Sequence, residues 1–116
     1  MEKSNIKLVR LFKDLQSCTT NQVEEKLWGF KYVAFKSMHI GGDLCWAKKG
    51  GFCSLHYHRY KSNYFHVLFG KLRLDYITKV YEGDRHVTRE NYVEIGENCE
   101  SRVFTIFPNV RHRFTA

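Results

Sequence analysis

The stretch Gly70-Lys71-Leu72-Arg73-Leu74-Asp75-Tyr76-Ile77-Thr78-Lys79-Val80-Tyr81-Glu82-Gly83-Asp84 decides how this chain folds. Leu72, Leu74, Tyr76, Thr78 and Val80 recur at every second position, the period at which side chains of a β-strand share one face. Glu82-Gly83-Asp84 then supplies a turn. Upstream, Trp28, Phe30, Tyr32 and Ala34 alternate with Lys31, Val33 and Phe35, and shorter strand-like runs follow at Leu44–Lys48, Leu55–Arg59 and Tyr64–Phe69. Gly41-Gly42 and Gly50-Gly51 punctuate them. Downstream, Arg85–Val87, Tyr92–Ile95 and Arg102–Phe107 fit further strands. Many short strands with glycine turns and no helix between them predict an all-β sandwich or barrel.

The first 22 residues differ. Ile6, Val9, Phe12 and Leu15 lie three apart, widened by Leu8 and Leu11, with Lys7, Lys13 and Asp14 opposite. This predicts a short amphipathic helix, with Ser4 or Asn5 as its cap; a strand through Lys7–Phe12 is the alternative. The polar stretch Ser17–Gln22 ends the pattern, which divides the chain into an N-terminal extension, 1–22, and a β domain, 23–116.

A length of 116 residues suits one domain. Hydrophobic residues make up 43% and charged residues 27%, which excludes disordered and collagen-like classes. No window approaches the roughly 18 apolar residues of a membrane span. Glu2, Lys3, Lys7, Arg10, Lys13 and Asp14 interrupt any signal-peptide core. The cysteines Cys18, Cys45, Cys53 and Cys99 form no C-x-x-C pair, so they read as free buried thiols in a cytoplasmic protein. The net charge is +7, and its positive excess sits on segments 43–81 and 101–116 while 82–100 is acidic. That distribution points to a small anionic molecule. Nucleic acid is disfavoured, because the chain has no recognition helix, RNP-type motif or dense basic run.

The chemistry concentrates in Gly50 to Gly70. On a strand His56 and His58 project side by side, and two imidazoles on one face can chelate a divalent metal. A bare H-x-H is more often a pair of surface histidines on an edge strand. Here, however, five residues separate Gly50 from His56, four separate His58 from Asn63, and six separate Asn63 from Gly70. This pattern resembles the first block of the cupin superfamily: glycine, H-x-H, glutamate and glycine at these spacings. Asn63 stands where the family has its glutamate. Phe107-Pro108-Asn109-Val110-Arg111-His112 resembles the second block, P-P-G-x-x-H, with Asn109 at the glycine position and Gly96 resembling the block's leading glycine. Leu27-Trp28-Gly29 together with Ser54-Leu55-His56-Tyr57-His58 looks most like small single-domain cupins related to mannose-6-phosphate isomerases.

The resemblance implies a double-stranded β-helix, or jelly-roll barrel, that pairs as a homodimer. It implies His56, His58, His112 and Asn63 around a divalent metal: zinc, iron, manganese or nickel. Asparagine lacks the negative charge of glutamate and cannot act as a base. The implied activity is isomerase- or epimerase-type chemistry on a small anionic, sugar-phosphate-like molecule. A three-histidine iron dioxygenase and a non-catalytic cupin binding a sugar or nucleotide-like ligand are the alternatives. Ser54 on the histidine face, Lys61 at the expected pocket mouth, and the aromatic rings of Trp46 and Tyr32 are weaker ligand-contact candidates. By strand parity His66 and Cys53 point away from the histidine pair, and His39 and His86 lie outside both blocks.

Overall fold

The computed structural model describes residues 23–116, so the helix or strand expected over 1–22, and Cys18 with it, lies outside the described residues. Eight strands follow in order: β1 Val23–Lys26, β2 Gly29–Lys36, β3 Gly41–Ala47, β4 Asn63–His66, β5 Lys71–Glu82, β6 Arg85–Gly96, β7 Val103–Ile106 and β8 Arg111–Thr115. The all-β expectation holds, with no helix among the described residues, and thus no helix there long and apolar enough to cross a membrane. All ladders are antiparallel, and they group into three sheets, β1-β2-β3, β4-β7 and β6-β5-β8, rather than one closed barrel.

The chain divides at Gly51 into two compact units. In the first, the described strands form a meander. Lys26 pairs with Gly29 around a two-residue turn, and Phe30 pairs with Trp46, their rings 5.9 Å apart. Gly29 is required there, because a Cβ would collide with the Trp46 carbonyl oxygen. Strand β1 is polar (Val-Glu-Glu-Lys) and escaped the sequence reading, since an edge strand has no need of an apolar face.

The second unit, Phe52–Ala116, contains the alternating stretch quoted above as β5. It pairs along its full length with β6, from Lys71↔Gly96 to Glu82↔Arg85. The two runs expected at Arg85–Val87 and Tyr92–Ile95 are thus one strand, continued through the polar residues Thr88–Asn91 because β5 offers an unbroken ladder. On its other edge β5 pairs with β8, Leu74 opposite Phe114 and Tyr76 opposite His112. β4 pairs with β7, placing Asn63 opposite Ile106 and Phe65 opposite Phe104. Ring contacts between Tyr76 and Phe104 (5.4 Å) and between Phe65 and His112 (6.3 Å) lay this small sheet over the β6-β5-β8 face. The buried core is Leu74, Ile95 and Ile106, together with one polar side chain, His112.

The strand expected at Leu55–Arg59 is not a regular one. Segment 52–58 runs beside β8, but only through bridges at Phe52↔Thr115 and His56↔His112. Four residues on one side span three on the other, so one residue is extra, and a bulge of this kind interrupts a ladder. The fourth strand that would extend this sheet toward closure is reduced to two contacts. Of the described thiols none is fully buried: Cys45 is exposed and Cys53 and Cys99 are half-buried, which corrects the reading of buried cysteines.

Two substitutions test this core. Leu74 is fully enclosed, so Leu74→Ala should cost about 2–5 kcal/mol in urea unfolding. Gly96 has φ 124° and a Cβ there would strike the Gly70 carbonyl oxygen, so Gly96→Ala should cost about 1–3 kcal/mol in the same measurement.

Candidate metal centre

His56 and His112 are joined through their backbones. His56 N–H donates to the His112 carbonyl at 3.0 Å and His112 N–H donates to the His56 carbonyl at 2.8 Å. Residues paired in this way carry their side chains to the same face, and the two imidazole centroids lie 4.4 Å apart. His58, two residues on, stays on that face, 5.0 Å from His56 and 5.6 Å from His112. Leu55, Tyr57 and Arg59 are exposed on the other side. The alternation expected for the H-x-H pair therefore survives without a regular ladder.

A turn holds the third corner. Val110 N–H donates to the Phe107 carbonyl, with Pro108 and Asn109 at the centre and Asn109 at φ 66°. Proline followed by a left-handed residue is the type II arrangement, and asparagine tolerates that conformation better than most side chains. Asparagine is thus accommodated at this position of the turn. The Asn109 N–H then donates to the His58 carbonyl at 2.7 Å, tying the turn to the H-x-H segment.

Each of the three histidines offers one ring nitrogen, and these atoms lie within 4.8 Å of one another. The orientation of two of them is fixed by their own strands. His56 Nδ1 bonds the Ser54 carbonyl at 2.7 Å, and His112 Nδ1 bonds the Val110 carbonyl at 2.8 Å. A carbonyl only accepts, so Nδ1 carries the proton in both rings and Nε2 keeps its lone pair. Metal-binding histidines are oriented in this way, the distal N–H held by a carbonyl and the other nitrogen aimed inward. Burial and the nearby His56 hold His112 below the ordinary imidazole value, partly offset by the Val110 carbonyl. His58 is also lowered, first by loss of water and then by His56, His112 and Lys61. Neutral imidazole is the form that binds a metal.

Asn63 enters from β4. Its Nδ2 lies 3.2 Å from His112 Nε2 and donates to it. Three close histidines could hold a metal ion; neutral imidazole donors suit zinc, iron, copper or nickel, whereas manganese prefers oxygen ligands.

The weaker candidates fare differently. Ser54 is exposed and serves the site through its backbone carbonyl rather than its hydroxyl. Lys61 is exposed, and its charge is felt at His58. Tyr32 and Trp46 are half-buried in the β2-β3 ladder of the first unit. His66, His39 and His86 are exposed, as the parity and spacing predicted, and His86 stacks on Tyr81. Cys53 Sγ accepts from the Phe114 N–H at 3.3 Å and does not join the cluster. The anchors that sequence reasoning missed are the Ser54 and Val110 carbonyls and strand β8. Their backbone roles leave no residue-type signal.

The lowered histidines set a pH dependence. Near pH 6.5 the unfolded chain takes up protons that the folded site refuses, so stability rises with pH through that range. It is fully present above about pH 6.5 and is lost as the pH falls toward the lowered folded values. The melting temperature should therefore drop between pH 7 and pH 5, and His58→Gln should flatten the drop; an equally steep profile in the variant would contradict the site electrostatics. Comparison of the chain with protein-family models, with curated proteins and with solved structures returns no match.

Proposed function

We propose that this chain is a cupin-type metalloprotein whose three histidines hold a divalent ion and which acts on a small anionic, sugar-phosphate-like molecule by isomerase- or epimerase-type chemistry. The observation that carries the reading is the convergence of His56, His58 and His112, with the Nδ1 atoms of two of them tied to backbone carbonyls. Burying a neutral histidine at 2% exposure beside two others is costly unless its lone pair is used. The Asn63 amide N–H donates to that lone pair.

A divalent ion bound there would polarise a carbonyl or carboxylate oxygen of the ligand. The chain's own contribution is electrostatic and geometric. Three neutral imidazoles and a neutral amide leave the ion's charge uncompensated, so anionic oxygen donors are favoured over cations. Lys61 adds positive charge near His58. Asn63 cannot abstract a proton, so a proton-transfer step would have to use another group or water.

Asn63 also sets affinity. His112 Nε2 has one lone pair and cannot accept from the amide and bind a metal at once. A metal held at that nitrogen would displace the Asn63 N–H, and Asn63 could then offer its carbonyl oxygen instead. A carboxylate at this position would remove the competing donor and add a charged ligand.

Elemental analysis and thermal shift with zinc, iron, manganese and nickel test the reading. Bound metal, or a rise in melting temperature lost in His58→Ala, is expected, and no response to any of the four ions would overturn it. Asn63→Asp should tighten metal binding by about tenfold or more in calorimetric titration. The all-nitrogen donor set also fits a three-histidine iron oxygenase, and oxygen uptake by the iron-loaded protein separates that reading from isomerisation.

A further inference from the structure

The outer face of the β6-β5-β8 sheet carries one arrangement twice, once complete and once with a part missing. In the complete one, the Arg73 guanidinium lies 4.2 Å from the Tyr92 ring centroid and donates to Asp75 Oδ1 through Nε at 3.2 Å and Nη2 at 3.1 Å. The cation has both a ring face and a counter-charge. In the other, Arg111 of β8 stands opposite Ile77 of β5 and lies 5.9 Å from the Tyr57 ring centroid. Among the described residues Arg111 forms no ion pair. The two acids of the neighbouring strand β5, Asp75 and Glu82, are already taken by Arg73 and Arg89.

Beside this second pair lies open space, a cavity of about 290 Å³ lined by Leu55, His56, Tyr57 and Arg111. Leu55 and Tyr57 flank His56 in the chain, so they face outward while the His56 ring joins the cluster on the inner face. Both side chains are nearly half exposed. The lining sets the ligand. A guanidinium without a partner is a planar fork of donors that matches a carboxylate. One cation suits one monoanionic group, whereas a phosphate dianion calls for several donors. Tyr57 and Leu55 offer a ring face and a branched aliphatic surface, which suit an apolar body and above all another ring. The volume is at the small end for ligand cavities, enough for a single ring with a short acid arm.

We infer that this cavity is a binding site for a small aromatic carboxylate, separate from the histidine cluster and on the opposite face of the sheet. The acid of the ligand pairs with Arg111, and its ring lies against Tyr57 and Leu55. The ligand supplies at Arg111 the carboxylate that Asp75 supplies at Arg73. Because Leu55, Tyr57 and Arg111 all face away from the cluster, binding here requires no metal at the histidines.

Titration of the metal-free full chain with phenylacetate and with its neutral isostere phenylacetamide, followed through backbone amide shifts by NMR, tests the assignment. Phenylacetate should move the Leu55, Tyr57 and Arg111 resonances and bind about tenfold more tightly than the amide, a difference of about 1.4 kcal/mol. Arg111 is exposed, so Arg111→Gln leaves the core untouched and should bring that ratio close to one. Arg111→Lys keeps the charge without the fork and should fall between, and Tyr57→Leu should weaken both ligands. Equal affinity for acid and amide, or an unchanged ratio in Arg111→Gln, would overturn the assignment. So would shifts centred on His58 and Asn63 instead, which would put the acid at the histidines.

Discussion

The reciprocal pair of backbone hydrogen bonds between His56 and His112 is the constraint on which the site depends. It brings together positions 56 residues apart in the chain and sets their side chains on one face. Everything else at the site follows from that register. His58 is carried along two residues later, the Asn109 N–H closes on its carbonyl, and β8 delivers the far flank to β5. A slip of one residue would turn His112 to the opposite face and leave the H-x-H pair facing Arg111 or Arg113.

That register is held although the surrounding pairing is sparse. A bulge between the Phe52 and His56 bridges breaks what would otherwise be a fourth ladder, and the site sits where the ladder is weakest. Bulges re-aim side chains beside functional sites. Here the irregularity coincides with the change of phase between Cys53, which turns to the Phe114 N–H, and His56, which turns to the histidine cluster. The core beneath is small, with Leu74 under the same strand that pairs with His112.

Charge has a parallel logic. The chain is basic overall, yet at the cluster loss of water favours the neutral forms of His58 and His112. Asn63 preserves that neutrality where a carboxylate would have made a negative site. Arg111, on the strand that bears His112, lies over the Tyr57 ring on the outer face, so its positive charge stays outside the cluster.

Period and punctuation in the sequence were enough for the all-β class, for β5, and for the common face of His56 and His58, because those depend on neighbours along one chain. Asn109 was legible too, since its left-handed conformation is a property of the residue. The spacing of Gly50, His56, His58, Asn63 and Gly70 drew attention to His56 and His58, and Phe107–His112 to His112, the three histidines that lie together in the fold. Polar β1 and the joined β6 were not legible, because a strand stabilised by its partner's hydrogen bonds needs no alternating pattern of its own. Only the tertiary structure decided that 52–58 pairs by isolated bridges, that the sheets remain separate, and that the Asn63 amide sits on the His112 lone pair. Those outcomes depend on which backbone N–H meets which carbonyl across the fold, and residue identity does not encode that pairing.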